Sequence, residues 1–198
     1  MRAESDTAFR SPVSKTQQGF SLIEVMISMV ILVIGLISLL GVFGIALTAT
    51  QTSQENTTAK QLANEAMESI LTARETANIS WAQIQNVGAG PGIFLAGFQP
   101  IDNPGVDGII GTADDAAAGP QILEQPGPSG VFAGTCPPDT CLNLTNFQRQ
   151  IVITPVVPAG GGPASSTLSS VTVTILYKTP QSSLAKQYVL NTFISPYR

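Results

Sequence analysis

The stretch Gln18–Leu47, QGFSLIEVMISMVILVIGLISLLGVFGIAL, decides how the rest of the chain is read. Between Val25 and Leu47 it carries no charged residue. At a helical rise of about 1.5 Å per residue, roughly 20 residues cover a hydrocarbon core of about 30 Å, so this segment is long enough to cross a bilayer. A secretory signal fits less well, because its apolar region runs for only about 7 to 15 residues before a small-residue cleavage site. Ala46-Leu47-Thr48-Ala49 has the composition of such a site, but the run before it is too long. A plain single-span anchor explains the length and leaves Glu24 unexplained. A glutamate in an apolar helix is unfavourable by roughly 2 to 4 kcal/mol at the bilayer centre and by less near an interface, and such acids usually have a partner and a role. Glu24 lies about one turn beyond Phe20. The shallow figure therefore applies to a lone membrane chain, and the cost grows once the helix is packed into a dry bundle.

Ahead of this stretch, residues 1–19 are polar, with Arg2, Arg10 and Lys15 against Glu4 and Asp6, and the next cation is Lys60. The positive-inside rule then keeps the leader in the cytoplasm and sends the long C-terminal part across the membrane. Removing the leader would take the net charge from −4 to about −5. An acidic chain with no basic face has nothing to release counterions from a phosphate backbone, which argues against nucleic acid as a partner. With 198 residues there is room for one modest domain beyond the membrane segment. Charged residues make up 11%, while 18 glycines and 14 prolines suit a loop-rich extracytoplasmic module.

Gly19-Phe20-Ser21-Leu22-Ile23-Glu24-Val25, preceded by a short polar leader with Lys15, resembles the processing site of type IV prepilins and their pseudopilin relatives. The continuation Met26-Ile27 through Ile31-Leu32-Val33-Ile34-Gly35-Leu36 is similar to the PilV-type minor pilins. The resemblance covers residues 15–50 and weakens beyond them. It departs from many major pilins in having no proline within the helix, where Gly35, Gly41 and Gly44 are the only weak points. The family implies cleavage by a prepilin peptidase between Gly19 and Phe20 and N-methylation of Phe20. A residue without Cβ before the cut suits close backbone entry into a protease cleft. Cleavage creates an amine with a reference pKa of about 7.7 to 8.0 near a glutamate at about 4.3, so both are charged near neutrality. Methylation keeps that charge. Glu24 is then expected to pair with the amine of Phe20, in its own or a neighbouring subunit, and to set register during assembly.

From Thr48 to about Thr76 the helix is expected to continue in a different character. Ala59, Leu62, Ala63, Ala66, Met67, Ile70 and Leu71 recur at i, i+3, i+4, i+7, with Gln54, Glu55, Lys60, Gln61, Asn64, Glu65 and Glu68 on much of the remainder. Residues 20–76 thus read as one helix, with 20–47 the transmembrane and assembly half and 48–76 the amphipathic half. Residues 77–198 read as a periplasmic or extracellular domain. Asn78 to Gly97 reads as irregular chain punctuated by Gly88, Gly90, Pro91 and Gly92 and anchored by Trp81. Runs Phe147–Val157, Leu168–Lys178 and Lys186–Ser195 read as strands, and Val171, Val173 and Ile175 alternate with Thr172 and Thr174 in the period of a half-buried sheet. The expected fold is α+β: a long N-terminal apolar helix of the pilin kind packed on a small antiparallel sheet with loop-rich insertions.

Two features lie outside that frame. Ile101–Asp115, IDNPGVDGIIGTADD, gathers Asp102, Asn103, Asp107, Asp114 and Asp115 around three glycines. Counted from Asn103, the spacing approximates a Ca²⁺ loop with Asp107 fifth and Asp114 twelfth, and Asp102 and Asp115 as further candidate ligands. Gly105 at a usual ligand position, aspartate in place of the long bidentate glutamate, and no evident flanking helices weigh toward a solvated Asx/Gly turn. Cys136 and Cys141, in TCPPDTC, are the only cysteines. With no C-x-x-C spacing and no histidine anywhere, a zinc or dithiol redox site lacks its residues, and a disulfide closing a short loop in an oxidising compartment is expected.

Catalysis is not expected, since histidine is absent and no Ser or Cys nucleophile has an identifiable base. No cofactor is expected beyond Ca²⁺ at the acidic loop. A minor pilin is the expected function, with other pilins, the inner-membrane assembly platform and the prepilin peptidase/methyltransferase as partners. The expected location is the inner membrane, single-pass with the N-terminus cytoplasmic, and then the fibre. A pseudopilin of a type II secretion or DNA-uptake machine, and a membrane-anchored adhesin or sensor with no fibre role, are the alternatives.

Overall fold

The structure is a computed structural model that describes residues 19–124, 141–179 and 184–197. In chain order these form helix α1 (Leu22–Glu75), a single 3-10 turn (Trp81–Gln83), β1 (Gln99–Pro100), a short α2 (Asp115–Ala118), β2 (Ile122–Glu124), β3 (Cys141–Asn143), β4 (Phe147–Pro155), β5 (Ser169–Tyr177) and β6 (Lys186–Ile194). The class is α+β, as expected: a long N-terminal helix and an antiparallel sheet. The chain divides into two units at Leu47/Thr48, within α1.

In the first unit every described residue, from Gly19 to Leu47, is exposed, including Phe20 and the whole series of Leu, Ile, Val and Met side chains. A helix that is apolar all round belongs in lipid or inside a bundle. Its length and composition are sufficient to cross a membrane. Two hydroxyls inside the run are satisfied locally: Ser28 Oγ donates to the Glu24 carbonyl at 2.7 Å and Ser38 Oγ to the Ile34 carbonyl at 2.9 Å. Such back-bonding lets a hydroxyl sit in an apolar helix without water.

In the second unit α1 is one-sided. Ala59, Leu62, Ala63, Ala66, Met67 and Ile70 of the stripe read from the sequence are buried, joined by Thr58 and Ala73, while Leu71 is only half-buried at its margin. The helix ends in a Schellman-type arrangement, the Asn78 amide donating to the Ala73 carbonyl at 3.0 Å and the Ala77 amide to the Arg74 carbonyl at 3.2 Å. Ala77 adopts the left-handed conformation this requires, with φ 57°.

The stripe packs on a four-stranded antiparallel sheet ordered β1-β4-β5-β6, in which β4, β5 and β6 follow one another as hairpins. Alternation decides what faces the helix: Phe147, Ile151 and Ile153 of β4 and Val171, Val173, Ile175 and Tyr177 of β5 are buried, while Thr172 and Thr174 are half-buried on the other side. Burying each such aliphatic side chain contributes about 1.5 to 3 kcal/mol. The cross-strand pair Phe147 and Tyr177 stack with centroids 5.7 Å apart and 18° between their planes.

The segment after α1 is held by long-range contacts. Trp81 Nε1 donates to the Ser166 carbonyl at 2.9 Å. The amide of Asn86 donates to the Ile151 carbonyl and its Oδ1 accepts from the Ile153 amide, both at 2.8 Å, tying the loop to β4. A second, two-stranded sheet pairs β2 with β3.

Candidate functional site

Two places carry the candidate residues, one in each unit. At the N-terminal end, Gly19 and Phe20 precede the helix outside any regular element, and Phe20 is 85% exposed. The helix begins when the Ser21 carbonyl accepts from the Glu24 and Val25 amides at 3.0 and 3.3 Å. Glu24 therefore occupies the first turn. There a carboxylate is favoured by the unsatisfied N–H groups and the positive end of the helix dipole. Among the described residues Glu24 has no ion-pair partner, the only salt bridge being Arg74 with Glu75 at 3.4 Å. Residues 1–18 of the expected leader lie outside the described residues.

The second place is the acidic loop. Carboxylate oxygens of Asp107, Asp114 and Asp115 all lie within 4.8 Å of one another. Of the residues expected there, Asp107 and Asp114 converge and Asp115 joins them, whereas the Asn103 amide donates away from the cluster to the carbonyls of Gly119 and Pro120 at 3.4 and 3.2 Å. Asp102 pairs with Pro120 through a single β-bridge. The loop is anchored by buried Ile101, Ile109 and Ile110, and by the Ile110 amide donating to Ser69 Oγ of α1 at 3.0 Å.

The carboxylates accept hydrogen bonds from the loop itself. Asp115, only 6% exposed, accepts from the Gly111 amide at 2.6 Å and from the Gly105 amide at 3.2 Å. Asp114 accepts from Thr112 Oγ1 at 2.6 Å and from the Asp107 amide at 3.2 Å, and Asp107 from the Ile109 amide at 2.8 Å. Burial pushes the Asp115 carboxyl above its ordinary value, against the lowering effect of the Gly111 and Gly105 amides and of Arg149. Asp114 is held below the ordinary value, chiefly by the Thr112 hydroxyl and then by the Asp107 amide.

The two acids thus act in opposite directions on stability. A lowered aspartate contributes stability above its unfolded value that is lost as pH falls through the folded value, while a raised one contributes below its unfolded value and loses this as pH rises. Thr112→Val should move the Asp114 midpoint upward, read by carbon-13 NMR titration of its carboxyl. An unmoved midpoint would remove the hydroxyl as the cause.

Arg149 is the residue the sequence reading passed over. It sits on β4 in phase with Phe147 and Ile151, faces the core, and is 3% exposed. Strand alternation was the available signal. Cys141 opens β3, and Cys136 lies outside the described residues, so the expected bridge falls outside what the structure describes.

Residues 14–40 match the family model for the prokaryotic N-terminal methylation motif. That motif marks the N-terminal segment as the kind processed in type IV pilin-like and pseudopilin-like substrates. No curated protein matches the chain, and no solved structure does.

Proposed function

We propose that this chain is a minor pilin of the PilV kind, a structural subunit that is processed by another enzyme and acts in pilus assembly through helix packing. The observation that carries the reading is the coincidence of the methylation motif at residues 14–40 with the stretch of α1 up to Leu47, which is exposed and apolar on every side and whose one acid, Glu24, stands in the first turn. No catalytic step is assigned to it. A prepilin peptidase and methyltransferase act on Gly19 and Phe20, and other pilins and the inner-membrane platform receive the product. The chain starts as a single-pass inner-membrane protein with the N-terminus cytoplasmic and residues 77–198 periplasmic.

Mass spectrometry of the mature protein is the direct test. The expected N-terminal peptide begins with N-methylphenylalanine at Phe20; a mature chain beginning elsewhere ends this reading. Pseudopilins share the motif, so the fibre role needs its own measurement. A minor pilin is recovered in extracellular fibres sheared from cells, whereas a pseudopilin or a plain membrane-anchored adhesin stays with the cell envelope.

A further inference from the structure

A guanidinium buried in a small core is unfavourable unless charges and hydrogen bonds surround it. Three carboxylates from three different elements act electrostatically on Arg149 without an ion pair closer than 4.0 Å: Glu65 from α1, Asp115 from the start of α2, and Asp102 just after β1. It lines a cavity of about 30 Å³ together with Asp102, Asp115, Thr112 and Gln99. Its Nη1 is buried and has no hydrogen-bond partner among the described residues. Three aspartates, Asp107, Asp114 and Asp115, converge in the adjoining loop, and a nearby positive charge offsets their mutual repulsion.

We propose that Arg149 is the resident cation of the acidic loop, neutralising Asp102 and Asp115 where a metal ion would otherwise be required, with one water in the cavity linking Nη1 to those carboxylates. The volume admits a water, since a cavity of about 10 to 15 Å³ in this measure already holds one, and a buried water typically makes about three hydrogen bonds. Here it accepts from Nη1 and donates to the two carboxylates. An anion is disfavoured because the surrounding carboxylates outnumber the guanidinium, and a cation at the same point would be repelled by Arg149 itself. The arrangement also connects elements far apart in sequence: β4 supplies the charge, α1 faces it with Glu65, and Asp115 passes the constraint to the loop through the Gly105 and Gly111 amides.

The test uses the full chain in detergent micelles. Its readouts are hydrogen exchange at the Gly105 and Gly111 amides and the thermal midpoint of the sheet by near-ultraviolet circular dichroism. Arg149→Met keeps the length and removes the charge. The expected result is loss of protection at both amides by more than tenfold and a midpoint lower by roughly 10 °C. Adding Asp115→Asn to that variant should restore part of the midpoint, because the uncompensated carboxylate is then gone.

Should Arg149→Met prove too unstable to purify, Arg149→Lys keeps the charge without the planar fork and should show intermediate protection. The proposal is overturned if the double variant is no more stable than Arg149→Met. It is equally overturned if Arg149→Lys exchanges at the unaltered rate, or if millimolar Ca²⁺ raises the protection of those amides in the unaltered chain.

Discussion

Glu24→Gln is expected to leave the chain in the membrane at normal abundance and to remove it from assembled fibres. Insertion should not suffer, because replacing a charge with an amide makes an already apolar segment easier to place in lipid. Assembly is different, since the helix then exchanges lipid and interface for the flanks of other helices. On the proposed role, a terminal amine exposed by cleavage before Phe20 has to be desolvated there, and Glu24, in the first turn of α1, is the acid expected to meet it.

Magnitudes favour a large effect. Two unit charges about 4 Å apart attract by about 1 kcal/mol in water and about 4 kcal/mol at an effective dielectric of 20. Removing one member of a buried pair typically costs about 3 to 5 kcal/mol because the other charge is stranded. At about 1.4 kcal/mol per factor of ten, incorporation should fall by more than a hundredfold. Immunoblots of sheared fibres against the membrane fraction measure this directly. Incorporation of the Gln variant at the unaltered level would show that Glu24 sets no register. Glu24→Asp, with the charge kept on a shorter stem, should retain part of the function.

The sheet and the helical stripe were open to sequence reading because burial there follows simple periods. Val171, Val173 and Ile175 alternate with threonines, and Leu62, Ala66 and Ile70 recur at the helical period, so the face each residue presents is set by position alone. The N-terminal methylation motif was legible for a related reason: it is local in sequence, within residues 14–40. What was hidden depends on contacts from far away. β1 is two residues, one of them a proline, and exists only because Gln99 and Pro100 pair with Arg149 and Gln148.

The acidic loop misled a count along the chain for the same reason. Numbering from Asn103 ranked Asn103 among the ligands, yet its amide is used to hold Gly119 and Pro120, while Asp115, beyond the twelfth position, is the buried acid at the centre. Convergence in this loop is decided by where the chain reverses, and those reversals are set by backbone angles that spacing does not report.

Gly111 is the residue through which that reversal can be tested, and Gly111→Ala should be among the most damaging single-methyl additions in the domain. Its φ is +94°, where a side chain is strained, and a Cβ built there would lie 2.5 Å from Ile151 Cδ1 and 3.6 Å from Phe94 Cδ1. The left-handed backbone costs an L residue roughly 1 to 2 kcal/mol. Crowding adds roughly 1 to 3 kcal/mol, since Ile151 is a buried core residue with little room to turn. Reduced freedom of the unfolded chain returns only about 0.4 to 1 kcal/mol. The net loss of about 1 to 4.5 kcal/mol corresponds to a melting midpoint lower by up to roughly 10 to 15 °C in a unit of this size.

Gly108→Ala separates the two causes. Gly108 also has a positive φ, +70°, but its Cβ would meet nothing within 4 Å, so only the backbone strain remains and a drop of a few degrees is expected. If the two variants melt together, the contact between the loop and Ile151 contributes nothing. If Gly111→Ala alone also releases the Gly111 amide to rapid exchange, the loop and the β4 core unfold as one unit, because that amide is the 2.6 Å donor to Asp115.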